Sequence, residues 1–302
     1  MTPGGDLVEQ TWQGPDRPRH RGSLHWAAVG GRAAIGIARL TVFCLTATGC
    51  ATVGGAAPHE RQAVIDRILA ASAKVMIEHD GKRLSSGSGV VVASRPLEPG
   101  VEAVSYVLTA AHVLDSKEKA EVFVRFTGAY AVRGKFAATV ERRGNPETLD
   151  LALLRVTGIA VPAIQLAHGE DISLGQEILI VGFPWGKRLG LFGGIVSQVP
   201  TDSGQAVPDE GVEQTMVVDA ASAKGVSGGG VFREATGNLI GIVEGYQTAS
   251  IAVKERSQTY SLRVPMPGET FVVPITRISR FLGEAGIAGA MESSEAIEDR
   301  QP

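Results

Sequence analysis

From residue 75 onward the chain is written in short β-branched runs, and this rhythm constrains the fold more than any other feature. VMIEH, SGVVVAS, SYVLTAA, EVFVRF, FAATVERR, LALLRV, AIQL, EILIVGF, GGIVSQV, TMVVDA, GVFRE, NLIGIVEGY and FVVP follow one another, separated by Gly, Pro, Asn or charged turns. About a dozen strands at this spacing predict a sandwich or barrels, an all-β class. No strand-helix-strand alternation interrupts them, so a doubly wound sheet and its cofactor logic are excluded. The 38 glycines fit many tight turns, and an apolar content of 44 % over 302 residues supplies a sizeable core.

Helical spacing occurs only at the flanks. HERQAVIDRILAASAK sets Val64, Ile65, Ile68 and Leu69 at helical intervals, and PITRISRFLGEAGIAGA puts Ile275, Ile278, Phe281 and Leu282 on one face. Pro274 reads as the start of that second helix and Gly283 as its break. MESSEAIEDRQP is a polar tail, and no internal repeat of fixed period is visible.

The first fifty residues stand apart. A polar start bearing Arg17, Arg19, Arg21 and Arg32 leads into AAIGIARLTVFCLTATGC, an apolar stretch interrupted by Arg39 and too short to span a bilayer comfortably. It reads as a signal peptide, and a start near Val29 would give one of more usual length. Its end, Ala47-Thr48-Gly49-Cys50, resembles the lipobox of bacterial lipoproteins, which makes Cys50 the lipidated N-terminus and the bacterial cell envelope the expected location. The alternative is a soluble secreted or periplasmic protein. The only two cysteines are Cys44 and Cys50, so the folded body can hold no internal disulfide.

Composition narrows the partners. The net charge of −3 and the lack of a Lys/Arg block interleaved with aromatics exclude the electrostatic footprint of a nucleic-acid binder. No Walker loop, metal-ligand His pair, paired CxxC or EF-hand spacing appears, so neither metal nor cofactor is expected.

One stretch carries chemistry. GVSGGGVF, residues 225 to 232, can be written by a turn, an anion-binding loop or a nucleophile elbow. A phosphate loop should open a helix, yet VFRE and TGNLIGIVEGY after it read as a β-hairpin. An elbow of the α/β-hydrolase kind needs its histidine later in the chain, whereas His20, His25, His59, His79, His112 and His168 all precede Ser227. The subtilisin order would need an Asp ahead of the histidine, and Asp66 and Asp80 sit in no suggestive context, so the order His, Asp, Ser remains. His112 lies after a buried-looking strand among the small residues Thr109, Ala110 and Ala111. Of the aspartates between it and Ser227 (Asp115, Asp150, Asp171, Asp202, Asp209 and Asp219), Asp150 opens an apolar strand and so has the most buried surroundings. A buried carboxylate needs a donor, and an imidazole N–H is one.

TAAH, DLALL and GxSGG as they stand here resemble the catalytic motifs of trypsin-like serine proteases. SGSGVVV, EILIVGFPWG, GGIVSQV, VDAAS and GNLIGIV are similar, in order, to the bacterial HtrA-type branch. The resemblance covers roughly residues 70 to 282 and implies two six-stranded antiparallel β-barrels of the chymotrypsin type, with the site in the crevice between them. It implies a serine endopeptidase using His112, Asp150 and Ser227, with the backbone N–H groups of Gly225 and Ser227 as oxyanion hole. By position, Ala221 would line an uncharged primary pocket, and Ile242, Val243 and Glu244 would pair with an extended protein or peptide substrate.

The division expected is a signal and lipobox region over 1–50, a linker over 51–60, and a protease domain over 61–282. Within that domain the barrels fall at about 70–167 and 168–273, followed by a helix over 274–283 and a tail over 284–302. With about twenty residues after the helix, the PDZ domain of the HtrA-type branch is not expected in this sequence, and no oligomeric state is specified. Val226 replaces the Asp or Asn usual before the nucleophile, and Lys224 stands where Pro or a small residue is common. The rival reading is a catalytically silent trypsin-like fold acting as a peptide-binding or protein-binding envelope lipoprotein.

Overall fold

The computed structural model describes residues 58–116, 119–127, 134–168, 172–200, 215–255 and 258–287, all within the compact unit Val53–Pro302. The signal and lipobox region, with Cys50, lies outside the described residues, as does the end of the polar tail.

Helix α1 (Pro58–Ala70) opens on a proline, whose fixed φ suits a first turn, and buries Val64 and Ile68. Six antiparallel strands follow: β1 (Ser72–His79), β2 (Lys82–Arg95), β3 (Val104–Thr109), β4 (Glu121–Phe126), β5 (Phe136–Arg143) and β6 (Ala152–Thr157). They form a closed barrel in the order β1-β2-β3-β6-β5-β4. A second closed barrel uses β7 (Glu177–Gly182), β8 (Gly190–Gln198), β9 (Met216–Ala220), β10 (Gly230–Arg233), β11 (Leu239–Glu255) and β12 (Gln258–Pro274). Its order from β7 is β7-β8-β9-β12-β11-β10, which repeats the connectivity of the first barrel strand for strand. Closure removes the sheet edges that would otherwise present unpaired backbone.

The apolar runs are continuous because several strands bury both faces. In β7, Ile178 and Ile180 point into the second barrel's own core with Met216, Val218, Val231 and Val272. Leu179 and Val181 join the other core, which runs from the first barrel through Phe232, Ile242 and Val273 to the helix α2 (Ile275–Glu284). Period-2 alternation thus divides one strand between two cores. Ile275, Ile278, Phe281 and Leu282 are all buried, as the helical pattern requires.

Three local expectations need correction. AIQL is not a strand: Ile164 N–H donates to Val91 O at 2.9 Å, while Leu239 N–H donates to Gln165 O at 2.8 Å and its carbonyl accepts from Ala167 N–H at 2.9 Å, which makes one isolated parallel bridge, Leu166 to Leu239. It stitches one barrel to the other instead of running along either. Gly283 does not break α2, which continues to Glu284; the left-handed residue is Gly286, φ +73°. NLIGIVEGY and FVVP are parts of two 17-residue strands, whose extension forms a long hairpin carrying exposed Ile251, Val253, Tyr260 and Leu262.

Candidate active site

The antiparallel pairing of β3 with β6 sets Thr109 opposite Ala152. Residues just beyond the end of β3 and just before the start of β6 therefore emerge side by side. His112 lies in a 3-10 turn, Ala111–Leu114, after β3, and Asp150 lies two residues ahead of β6. The Asp150 carboxylate is 4 % exposed and meets His112 twice, through imidazole Nδ1 at 2.5 Å and backbone N–H at 2.8 Å. A carboxylate only accepts, so Nδ1 carries the proton and Nε2 is left free to act as a base. The His112 side chain is 39 % exposed.

These surroundings tune the imidazole. The hydrogen bond to Asp150 holds its pKa above the usual histidine value against the lowering effect of burial, and the charges of Asp150, Asp115 and Glu244 add to the rise. Asp115 is itself held by the guanidinium of Arg143, which also reaches Ala111 O at 3.2 Å.

The serine turn comes from the second barrel. Val226 N–H donates to Ala223 O at 3.0 Å, and Gly225 has φ +95°, so Ala223 to Val226 form a type II turn that needs glycine at its third position. A Cβ on Gly225 would lie 2.6 Å from Phe183 O and 2.9 Å from Gly186 N. Gly228, φ +81°, is pressed against the strand that leads to His112: a Cβ there would meet Thr109 Oγ1 at 2.3 Å and Ala110 N at 2.9 Å. The two glycines thus let the turn around Ser227 close on the segment that bears His112. Ser227 is half-buried, and its carbonyl accepts from Ser88 N–H at 2.8 Å. Among the described residues no hydrogen bond joins Ser227 Oγ to His112 Nε2.

Two backbone N–H groups of the turn are left without acceptors among the described residues. Trp185 N–H donates to Lys224 O at 2.6 Å, and in a trans peptide the N–H of Gly225 then points the opposite way. The N–H of Val226 is consumed within the turn, whereas those of Gly225 and Ser227 have no acceptor among the described residues. Val226 is fully buried in the second barrel's core.

The remaining expected residues separate. Ala221 follows β9 and is exposed; beside it Ser222 buries an Oγ that has no hydrogen-bond partner among the described residues. Ile242 lies between Gly230 of β10 and Val273 of β12. Val243 gives its N–H to Gly229 O and takes Gly228 N–H on its carbonyl, both at 2.8 Å. Their backbone is engaged inside the barrel and on the turn around Ser227, so neither offers a free edge to an added strand. Glu244 sits at a bulge in the β11–β12 ladder. Burial, then the charge of Asp150, push its carboxyl above the usual range, while Arg277 and His112 oppose the rise. Arg277, from α2, also donates to Thr148 O in the loop before Asp150. Ser88, Trp185 and Arg277 escaped sequence reading, because only their partners in space give them a role.

The family model described as trypsin-like peptidase domain matches residues 87–242. The chain belongs to this family. A protein of Pseudomonas fluorescens (strain Pf-5) described as "Probable periplasmic serine endoprotease DegP-like" is 28 % identical over 191 residues, which is 63 % of this chain and 33 % of that protein. A protein of Hahella chejuensis with the same description has the same identity and coverage. The chain therefore spans about a third of the length of these curated relatives. Among solved structures, an inactive serine-to-alanine form of Rv3671c from M. tuberculosis H37Rv superposes with a TM-score of 0.52 at 20 % identity, covering 74 % of this chain and 90 % of that one. This likeness shows the fold, and the trypsin-like domain found here has the two closed barrels expected from the motifs. Among the described residues no helix is long and apolar enough to cross a membrane, and no group of three or more His, Cys, Asp or Glu could hold a metal ion.

Proposed function

We propose that the chain is a serine endopeptidase, with Ser227 as nucleophile, His112 as general base and acid, and Asp150 as the group that fixes the imidazole. The single observation that carries this reading is the pairing of His112 with the buried Asp150 beside a type II turn that leaves the Gly225 and Ser227 N–H groups without acceptors. Nε2 takes the Ser227 proton as Oγ attacks a peptide carbonyl, then returns it to the leaving amine. The two N–H groups receive the developing oxyanion, each contributing roughly 2–4 kcal/mol to the transition state. An extended substrate adds to β11 from Glu244 onward.

The chemistry is tested with a fluorophosphonate probe. Covalent labelling of the wild type, lost in Ser227→Ala, is the expected result; an unlabelled wild type, or equal labelling of the variant, sinks the reading.

We further place the protein in the bacterial cell envelope, with 1–50 as signal and lipobox, 51–60 as linker and 61–282 as the protease domain. The ATGC sequence ending at Cys50 and the periplasmic description of the relatives support this. Incorporation of a labelled fatty acid that disappears in Cys50→Ala checks it.

A further inference from the structure

The motif SGSGVVV contains a serine with no part in the proton transfer. Ser88, in β2 of the first barrel, is 1 % exposed, and its polar groups make four hydrogen bonds to different parts of the site. Its hydroxyl accepts Phe183 N–H at 2.9 Å and donates to Gly225 O at 2.7 Å. Its backbone N–H donates to Ser227 O at 2.8 Å, and its carbonyl accepts from Thr109 Oγ1 at 2.6 Å. One residue of the first barrel thus touches both sides of the nucleophile, the Phe183–Trp185 turn and the strand leading to His112.

Resting on the serine endopeptidase reading, we propose that Ser88 is the positioning residue that keeps the oxyanion turn open, a polar brace supplied from the other barrel where Val226 offers none. The turn has two backbone alternatives. In the type II form seen here the Lys224 carbonyl points toward Trp185 and the Gly225 N–H points away from it. Flipping the Lys224–Gly225 peptide gives a type I turn, which needs no positive φ and swings the Lys224 carbonyl to the side where an oxyanion must bind. Two clamps oppose the flip. Trp185 N–H holds the carbonyl of the mobile peptide, and the Ser88 hydroxyl holds the carbonyl of the next one. Because the same hydroxyl also takes Phe183 N–H, it fixes the distance between the clamps. Lys74 Nζ, donating to Gly186 O, ties the far end of the Phe183–Gly186 turn to the first barrel as well.

Val226 cannot do this work, since its side chain lies in the apolar core of the second barrel. A hydroxyl brace also differs from a carboxylate one in carrying no charge, so the hole stays formed across the pH range in which His112 titrates. The state of the oxyanion hole is thereby coupled to the packing of one barrel against the other.

The test compares wild type, Ser88→Ala and Ser88→Cys on a fluorogenic peptide with Val before the scissile bond. Rates are expressed per active site titrated to completion with a fluorophosphonate, which removes any loss due to unfolded protein. The expected result for Ser88→Ala is a roughly 10- to 100-fold fall in kcat with KM within about twofold, unchanged in size across the pH profile. Affinity for a peptide boronate, which lodges a tetrahedral oxygen in the hole, should fall in parallel. Ser88→Cys, which keeps the bulk but bonds weakly, should lie between. Wild-type kcat per titrated site in both variants, or a rise in KM alone, overturns the role of Ser88 while leaving the endopeptidase reading intact. A wild type that the probe does not label overturns the endopeptidase reading itself.

Discussion

Asp150 accepts two hydrogen bonds from His112, one from the imidazole and one from the backbone N–H of the same residue. The first sets which ring nitrogen is basic, and the second pins the turn that carries the ring. The two functions separate by substitution. Asp150→Asn keeps an oxygen for the backbone N–H but no longer fixes the tautomer, so kcat should fall by roughly 10³- to 10⁴-fold with little change in Tm. Asp150→Ala should lose as much activity and, by stranding a buried N–H, should also cost about 1–3 kcal/mol of stability in denaturant unfolding.

The acid limb of the kcat/KM profile reports the imidazole. In the proposed mechanism His112 must be neutral to act as base, and its pKa is raised, so activity should be lost on acidification at a higher pH than an ordinary histidine would give. Glu244 is one of the charges that raise it. Neutralising that carboxylate in Glu244→Gln removes a stabiliser of the imidazolium, which lowers the His112 pKa and moves the limb to more acidic pH. A profile that does not move, or moves toward alkaline pH, contradicts this account.

Placing an acid directly before Ser227, at position 226, should harm this protein. Val226 is fully buried among Ile178, Val231 and Val243, and Gly182 already packs closely against it. Val226→Asp would put an unpaired carboxylate in that core, and a loss on the order of 3–5 kcal/mol is expected, measured by urea unfolding. Gain of activity without loss of stability would show that a cation reaches position 226.

The terminal helix is part of the core and no appendage. Phe281 is 2 % exposed, closes the core cluster that runs into the first barrel, and lies under the Arg142 guanidinium, 5.2 Å from its ring centroid. Phe281→Ala should cost about 3–5 kcal/mol, read by the same unfolding measurement, while kcat per folded molecule changes little.

Most strands were legible because burial on one or both faces leaves a β-branched signature, as in EILIVGF and LALLRV. AIQL misled because an apolar tetrapeptide that bridges two barrels reads like one that runs along a sheet. The β11–β12 extension was missed for the opposite reason: most of its described side chains face solvent, so no burial pattern marks it. Among the site residues, His112 and Asp150 stood out through their small or apolar neighbours in sequence. Ile242 and Val243 were assigned to substrate pairing from position alone, and only the ladder shows that their backbone is already engaged.

By itself the sequence determined the all-β class, the two flanking helices, and the chain order His112, Asp150, Ser227, because apolar period and the chemistry of neighbouring residues are local properties. Tertiary structure alone decided that the two halves share one strand connectivity, which no sequence repeat records, since topology is a matter of which strands pair. It also decided what supports the serine turn. Ser88 and Gly225 are far apart in the chain, and a hydroxyl gains its role only when the barrels meet and bring a carbonyl within 2.7 Å of it.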